Sequence, residues 1–233
     1  MGQHTVSSFD EDLEAIDHLI RDMGDLSGSM VSGSTHALLT SDTALAQRVI
    51  SDDAVMDAKQ RELDDRAITL IAKRQPMAQD LRAVVGAIRM AADLERIGDL
   101  AKNIAKRVGA VGETAAPKAL AHSIESMAGL VLDQVNRVVR HYVDRDAQQL
   151  AKLRTDDEKV DIKYTAVFRE LLTYMMEDPR NITACTHLLF CAKNLERIGD
   201  HVTNIAENAY YVITGSQLPP TRPKLDETTT MQA

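Results

Sequence analysis

Apolar residues recur every three to four positions along most of this chain, in long runs that turn-forming residues interrupt. That spacing is typical of amphipathic helices. Asp42 and Asp144 follow short turns and are the predicted N-caps of two helices. Pro76 and Pro179 stand where a helix can begin but not easily continue. The pattern predicts an all-α chain of six long helices, at residues 8–39, 42–73, 77–109, 116–142, 145–177 and 180–214.

The chain also contains an internal repeat. Residues 40–57 match residues 144–161 at an offset of 104, and the hexapeptide LERIGD at 94–99 returns at 195–200, at an offset of 101. Because a repeat of this length determines the architecture, we predict two tandem three-helix bundles packed into one compact chain. The stretch GAVGETAAP at 109–117 is the predicted connector. The predicted divisions are a flexible N-terminus at 1–7, a first bundle at 8–110, a second bundle at 111–214 and a disordered tail at 215–233.

Each copy of LERIGD carries two acidic residues four positions apart, which places both on one face of a helix. The preceding helix of each half carries a second such pair, at a similar distance from the turn proline. Antiparallel packing would then bring four carboxylates together in each bundle, where they repel each other unless protons or cations intervene. Oxygen-only clusters suit ions such as Mg, Mn, Ca or Fe. The candidate metal ligands are Asp53, Asp57, Glu95, Asp99, Asp157, Asp161, Glu196 and Asp200, with Asn103 and Asn204 as further candidates.

Both copies of the hexapeptide also contain a glycine inside a predicted helix, Gly98 and Gly199. Glycine in a helix costs about 1 kcal/mol relative to alanine, so each needs a structural reason. Close approach of a neighbouring helix and close approach of the carboxylates explain it equally well. In the first helix Gly24, Gly28 and Ser32 are spaced by four, which predicts close helix packing or a break in the helix.

Composition and charge exclude several classes of function. The chain has a net charge of -8 and no basic cluster interleaved with aromatic residues, which argues against a nucleic-acid partner. Cys185 and Cys191 are six positions apart, a spacing that suits neither a redox pair nor a zinc pair. No signal peptide and no apolar run of about 18 residues is present. We therefore expect a cytoplasmic protein that does not insert into a membrane.

Four stretches of the chain carry a family resemblance. LERIGDLAKNIAKR, LERIGDHVTNIAENAYYVITG, IAKRQPMAQDLR and LLTYMMEDPR resemble, in order and spacing, segments of the PhoU family, which regulates bacterial phosphate uptake. The resemblance implies a pair of three-helix bundles. It also implies that the Glu/Asp-x-x-x-Asp motifs hold clusters of metal ions, iron or zinc in some members. Carried over by motif, that role falls on the eight acidic residues named above, with magnesium and manganese also suited to their oxygens.

The resemblance further implies a set of partners. Family members form homodimers or higher oligomers and contact the ATPase subunit of the phosphate ABC transporter and a membrane sensor histidine kinase. On this basis the chain is expected to be a metal-binding adaptor that negatively regulates the phosphate regulon. The two halves also differ: QDLR at 79–82 has no counterpart in the second half, and Asp93 is replaced by Asn194. We therefore expect the two acidic clusters to differ in occupancy or charge.

Alternative functions remain open on the residues alone. No nucleophile–base pair or phosphate-binding glycine loop is recognisable, which favours a regulator over an enzyme. A ferritin-like di-metal oxidase would need Glu-x-x-His motifs, and none of the seven histidines has an acidic residue three positions before it. His141 and His201 are interpreted as ordinary surface or packing residues rather than metal ligands. The remaining alternative is a metal-free helical scaffold that binds partners through its acidic faces.

Overall fold

The computed structural model describes residues 2–112 and 118–218, with side chains described for 11–111 and 120–218. Residues 113–117 of the predicted connector and 219–233 of the predicted tail lie outside the described residues. The helices are α1 (Gly2–Thr40), α2 (Thr43–Arg74), α3 (Gln79–Ala105), α4 (Val108–Gly112), α5 (Lys118–Val143), α6 (Ala147–Asp156), α7 (Glu158–Glu177) and α8 (Ile182–Thr214), with a 3-10 turn at Pro179–Asn181 before α8.

The six long helices are confirmed, with two interruptions. The predicted helix at 77–109 ends at Ala105: the Lys106 N–H still bonds the Lys102 carbonyl four residues back, but the Arg107 N–H bonds the Ile104 carbonyl three residues back, which tightens the chain into a turn. The short helix α4 follows, so residues 109–112 are helical rather than part of a loop. The predicted helix at 145–177 is divided at Asp157, whose backbone nevertheless keeps helical angles.

The turns before α2 and α6 are built alike. Asp42 caps α2 by accepting a hydrogen bond of 2.9 Å from the Leu45 N–H, as predicted. The prediction of Asp144 as the second cap is wrong, because Asp144 still donates its own N–H to Arg140 at the end of α5. Asp146 caps α6 instead, accepting from the Gln149 N–H at 3.0 Å. It is the residue that the internal repeat aligns with Asp42.

Each half forms one three-helix bundle. Helices α1, α2 and α3 pack together in the first, while α5, the α6–α7 pair and α8 pack together in the second. The bundles join side by side, α1 against α5 and α3 against α8, so that one apolar core of aliphatic and methionine side chains runs through both. The two helices that carry LERIGD are therefore central: α3 and α8 belong to different bundles and form the seam between them. No helix among the described residues is both long and apolar enough to cross a bilayer.

Glycines allow helices of the two bundles to approach closely where the bundles meet. A Cβ atom added at Gly24 would overlap Val139 of α5, and one added at Gly86 of α3 would overlap Val212 of α8. Close packing of α1 is thus confirmed at Gly24, while Ser32 is exposed. Further along α3, Asp93 meets His201 of α8, so the contacts run in opposite directions along the two helices. Helices α3 and α8 are therefore antiparallel, and their first turns lie at opposite ends of the molecule.

A partly buried hydrogen bond also joins the bundles. The Tyr142 hydroxyl of α5 donates to the Asp17 carboxylate of α1 at 2.5 Å, and Arg145 lies 3.3 Å from the other oxygen of Asp17. Burial, together with the negative charge of Asp17, raises the pKa of Tyr142 well above its usual value. The phenol therefore remains a donor across the whole physiological pH range.

We expect Gly24→Ala to lower the free energy of unfolding and Gly129→Ala to maintain or raise it. Both variants gain about 1 kcal/mol of helix propensity. At Gly24 the methyl group would overlap the stiff Val139 side chain, and overpacking of this kind costs about 1–3 kcal/mol, whereas a Cβ at Gly129 has nothing within 4 Å. Urea denaturation measures the difference, and equal midpoints would contradict a close α1–α5 contact.

Candidate functional site

The first acidic cluster consists of Asp53 and Asp57 on α2 and Glu95 and Asp99 on α3. Its centre is a lysine. The Lys102 ammonium lies 2.7 Å from an oxygen of Asp53 and 2.6 Å from an oxygen of Asp99, so it joins the two helices. Burial lowers the pKa of Lys102, but the hydrogen bonds to both carboxylates outweigh it and leave the pKa above its usual value.

Glu95 and the exposed Arg96 are further charged groups that set the electrostatics of the first acidic cluster. Burial raises the pKa of Glu95, and the negative charges of Asp99 and Asp57 raise it further. Arg96 lies 3.2 Å from Asp99 and 3.6 Å from Glu95. For Asp99, burial also raises the pKa, yet the contacts with Lys102 and Arg96 bring it below its usual value. Two cationic side chains of the protein, Lys102 and Arg96, thus offset part of the charge of the four carboxylates.

The second acidic cluster consists of Asp157, Asp161, Glu196 and Asp200, and it is more deeply buried. The first three side chains are each at most 5% exposed. Lys193 donates to one oxygen of Glu196 at 2.9 Å, while the other oxygen, Oε2, is buried and accepts no hydrogen bond. Burial raises the pKa of Glu196, and the charges of Asp200 and Asp161 raise it further despite Lys193.

Two buried polar residues border the second cluster and have apolar or charged equivalents in the first. Thr203 occupies the position that the repeat aligns with Lys102, and Gln134 occupies the position aligned with Met30. Both are at most 4% exposed, and neither the Thr203 hydroxyl nor the Gln134 Oε1 atom has a hydrogen-bond partner. Neither residue belongs to a motif that marks it in the sequence. Comparing the two halves position by position would have found them, because a lysine becomes a threonine and a methionine becomes a glutamine.

The two signature glycines serve different purposes. A Cβ atom at Gly199 would come within 2.5 Å of an Asp157 carboxylate oxygen, so this glycine makes room for the acidic cluster. At Gly98 the nearest atoms belong to Met30 and Met56, 3.4 Å away, which is an ordinary packing contact. Each of the two explanations that the sequence left open therefore holds in one half.

The two asparagines lie away from the centre of the clusters. Asn103 and Asn204 are exposed, and the Asn204 amide is 3.4 Å from Asp93. The same Asp93 oxygen lies 2.8 Å from the His201 ring, so His201 contributes to the α3–α8 seam. Cys185 and Cys191 are free and buried.

The carboxylates of each cluster approach one another without forming a ready coordination shell. Among the described residues, no group of three or more His, Cys, Asp and Glu side chains is arranged to hold a metal ion. Coordination by either cluster would require rotation of its side chains. Metal binding by the eight acidic residues, and by Asn103 and Asn204, stays a prediction.

These features define a class: a duplicated three-helix-bundle protein whose two signature helices form the seam between the halves. A family model described as the PhoU domain matches residues 20–108 and again residues 124–209. The phosphate-specific transport system accessory protein PhoU homolog of Rhizobium meliloti is 55% identical over 228 residues, which cover 98% of this chain and 96% of the relative. The chain belongs to the PhoU family.

More distant relatives are also similar along most of the chain. The phosphate-specific transport system accessory protein PhoU of Escherichia coli K12 is 34% identical over 92% of this chain and 89% of its own. The crystal structure of PhoU from Pseudomonas aeruginosa, 33% identical, superposes with a TM-score of 0.86 over 89% of this chain and all of that chain. PhoU from Streptococcus pneumoniae, 26% identical, gives a TM-score of 0.82 over 91% of this chain and 99% of its own.

Alanine at the two glycines should separate their roles. We expect Gly199→Ala to destabilise the protein by about 1–3 kcal/mol, because the buried Asp157 carboxylate cannot move away without losing its surroundings. Gly98→Ala should be neutral or stabilising by up to about 1 kcal/mol, since flexible methionines can adjust to the methyl group. Thermal or urea denaturation of the two variants provides the measurement. A larger loss in Gly98→Ala would refute this assignment.

Proposed function

We propose that this protein is a non-enzymatic, cytoplasmic regulator of phosphate uptake and a negative regulator of the phosphate regulon. The observation that carries the proposal is family membership along almost the whole chain, since relatives named as accessory proteins of the phosphate-specific transport system match 92–98% of it. In this role it links the ATPase subunit of the phosphate transporter to a membrane sensor histidine kinase. Self-association into a homodimer or higher oligomer is part of the same proposal.

Exposed apolar residues at the helical turns support an adaptor with two separate docking surfaces. Met77 at the α2–α3 turn is 80% exposed and Met176 near the α7–α8 turn is 81% exposed. Leu81 and Ile182 are exposed beside them. Because α3 and α8 are antiparallel, these two apolar tips lie at opposite ends of the molecule. An adaptor that holds two partners at once needs such a separation.

The regulatory part of the proposal also includes multivalent metal ions. The second acidic cluster suits a cation because buried oxygens of Glu196, Gln134 and Thr203 lack hydrogen-bond donors. A bound ion would neutralise the carboxylates and cross-link the helices that bear them. Iron, magnesium and manganese match oxygen ligands, and zinc matches them less well.

A metal-free scaffold is the alternative that a specific observation favours. In the first acidic cluster, Lys102 already bridges Asp53 and Asp99, which leaves less need for an added cation. The acidic faces would then serve as partner-binding surfaces alone. A ferritin-like oxidase has no support, because the histidines that such a site needs are not among the residues of either cluster.

Deleting the gene should derepress alkaline phosphatase in cells grown in high phosphate, and the wild-type gene should restore repression. Complementation with Met77→Ser or with Met176→Ser should fail wholly or in part, because each removes apolar area from one tip. The exposed Ile68, on the side of α2, provides the matched control Ile68→Ser, which should complement fully. Repression that persists in the deletion strain would refute the regulatory function.

Protein purified without chelators should retain a multivalent metal, measured by elemental analysis, and should lose thermal stability when a chelator removes it. Replacing Glu95, Asp99, Glu196 and Asp200 together by their amides should abolish the bound metal. The exposed acids Glu125 and Glu177, replaced by glutamine, control for reduced charge. Wild-type protein that binds none of iron, zinc, magnesium or manganese would refute the metal-binding part of the proposal.

A further inference from the structure

We propose that the two acidic clusters have diverged, so that Lys102 acts as a built-in cation in the first and a hard metal ion binds only in the second. In the second cluster, Gln134 and Thr203 supply ligand oxygens in addition to the carboxylates. This inference rests on the proposed metal-binding function and makes it more specific. It assigns a role to two residues outside the Glu/Asp-x-x-x-Asp motifs.

Lys102 already occupies the place of a cation. Its ammonium contacts Asp53 and Asp99 at once, and all three side chains are less than a third exposed. A multivalent ion at the same place would have to displace the ammonium from both carboxylates and leave a partly buried lysine without its partners. Charge-assisted hydrogen bonds of this length are among the stronger ones in proteins. The place between Asp53 and Asp99 is therefore already filled by the lysine ammonium.

Thr203 leaves the equivalent place in the second bundle without a side-chain cation. A threonine hydroxyl carries no charge and can accept as well as donate, so it is suited to face a cation rather than to replace one. Lys193 contacts Glu196 from a different position, one helical turn before that residue, and its own side chain is 42% exposed. Lys193 thus reaches Glu196 from the exposed side of the cluster, and the inner carboxylate oxygen of Glu196 accepts no hydrogen bond.

Gln134 provides the independent observation that points to a ligand. It extends from α5 towards α8, and its Oε1 atom lies 3.6 Å from the point where a Cβ atom of Gly199 would stand. An Asp157 oxygen lies 2.5 Å from the same point, so the two oxygens are at most about 6 Å apart. A buried amide oxygen without a donor is costly, and a cation between it and the carboxylates would remove that cost.

The two substitutions occur together in the half that lacks the lysine. Where the first bundle has Met30 and Lys102, the second has Gln134 and Thr203. The second bundle therefore has a side-chain oxygen that can bind a metal where the first has an apolar residue, and a second such oxygen where the first has a cationic residue. The resulting set contains only carboxylate, amide and hydroxyl oxygens, which favours a hard ion such as Mn²⁺ or Mg²⁺ over a soft one.

The test uses Mn²⁺ and the full-length protein after removal of metal by a chelator, with binding measured by titration calorimetry and elemental analysis. We expect Glu196→Gln with Asp200→Asn to abolish binding. The matched pair Glu95→Gln with Asp99→Asn should retain the wild-type affinity within about threefold. Circular dichroism confirms that each variant is folded.

Exchanging residues between the halves provides a more specific test of the same inference. Gln134→Met, which restores the apolar residue of the first bundle, should weaken Mn²⁺ binding at least about tenfold. Thr203→Lys should abolish binding, and Met30→Gln combined with Lys102→Thr should add a second site. If Thr203→Lys fails to fold, Gln134→Met and the double exchange still decide the question.

The outcomes separate this inference from the proposed function. Binding that depends on Glu95 and Asp99 as much as on Glu196 and Asp200 would overturn the divergence while leaving metal binding intact. Unchanged affinity in Gln134→Met would remove that residue from the site. No Mn²⁺ binding by the wild-type protein would overturn this inference, whereas the metal-binding part of the proposed function fails only if iron, zinc and magnesium are not bound either.

Discussion

The structure depends on holding carboxylates at helix–helix contacts without letting their repulsion push the helices apart. Each bundle places four of them between the helix that carries LERIGD and its neighbour. Burial raises the pKa of Glu95 and of Glu196, and the like charges of the neighbouring carboxylates raise both further. The nearby cations, and the glycine of the second signature, bear on how this repulsion is offset.

The two halves offset it by different means. In the first, Lys102 and Arg96 contact the carboxylates directly, and the signature glycine only eases the packing of methionines. In the second, the carboxylates are more buried, the glycine gives Asp157 its space, and polar side chains replace apolar and cationic ones. A duplicated fold can diverge in this way because each copy needs to keep only the helix packing, while the charge pattern of its cluster is free to change.

Helix α8 connects the features that matter for regulation. It contributes Glu196 and Asp200 to the second cluster, packs along α3 at the seam, and begins beside the apolar tip formed by Met176 and Ile182. The antiparallel arrangement gives α3 the corresponding position in the other half. Charge at a cluster, packing at the seam and exposure at a tip are therefore properties of the same two helices.

Sequence alone determined the helices, the duplication and the facing acidic pairs, because helical periodicity, turn prolines and a hundred-residue repeat are local or linear properties. It also located one cap, at Asp42, but misplaced the other by two residues, since the length of the turn after α5 depends on hydrogen bonds back to α5. Only the tertiary structure decided that Lys102 neutralises one cluster and that Gln134 reaches the other. Those contacts join residues far apart in the chain, and their existence depends on which faces of α2, α5 and α8 the packing brings together.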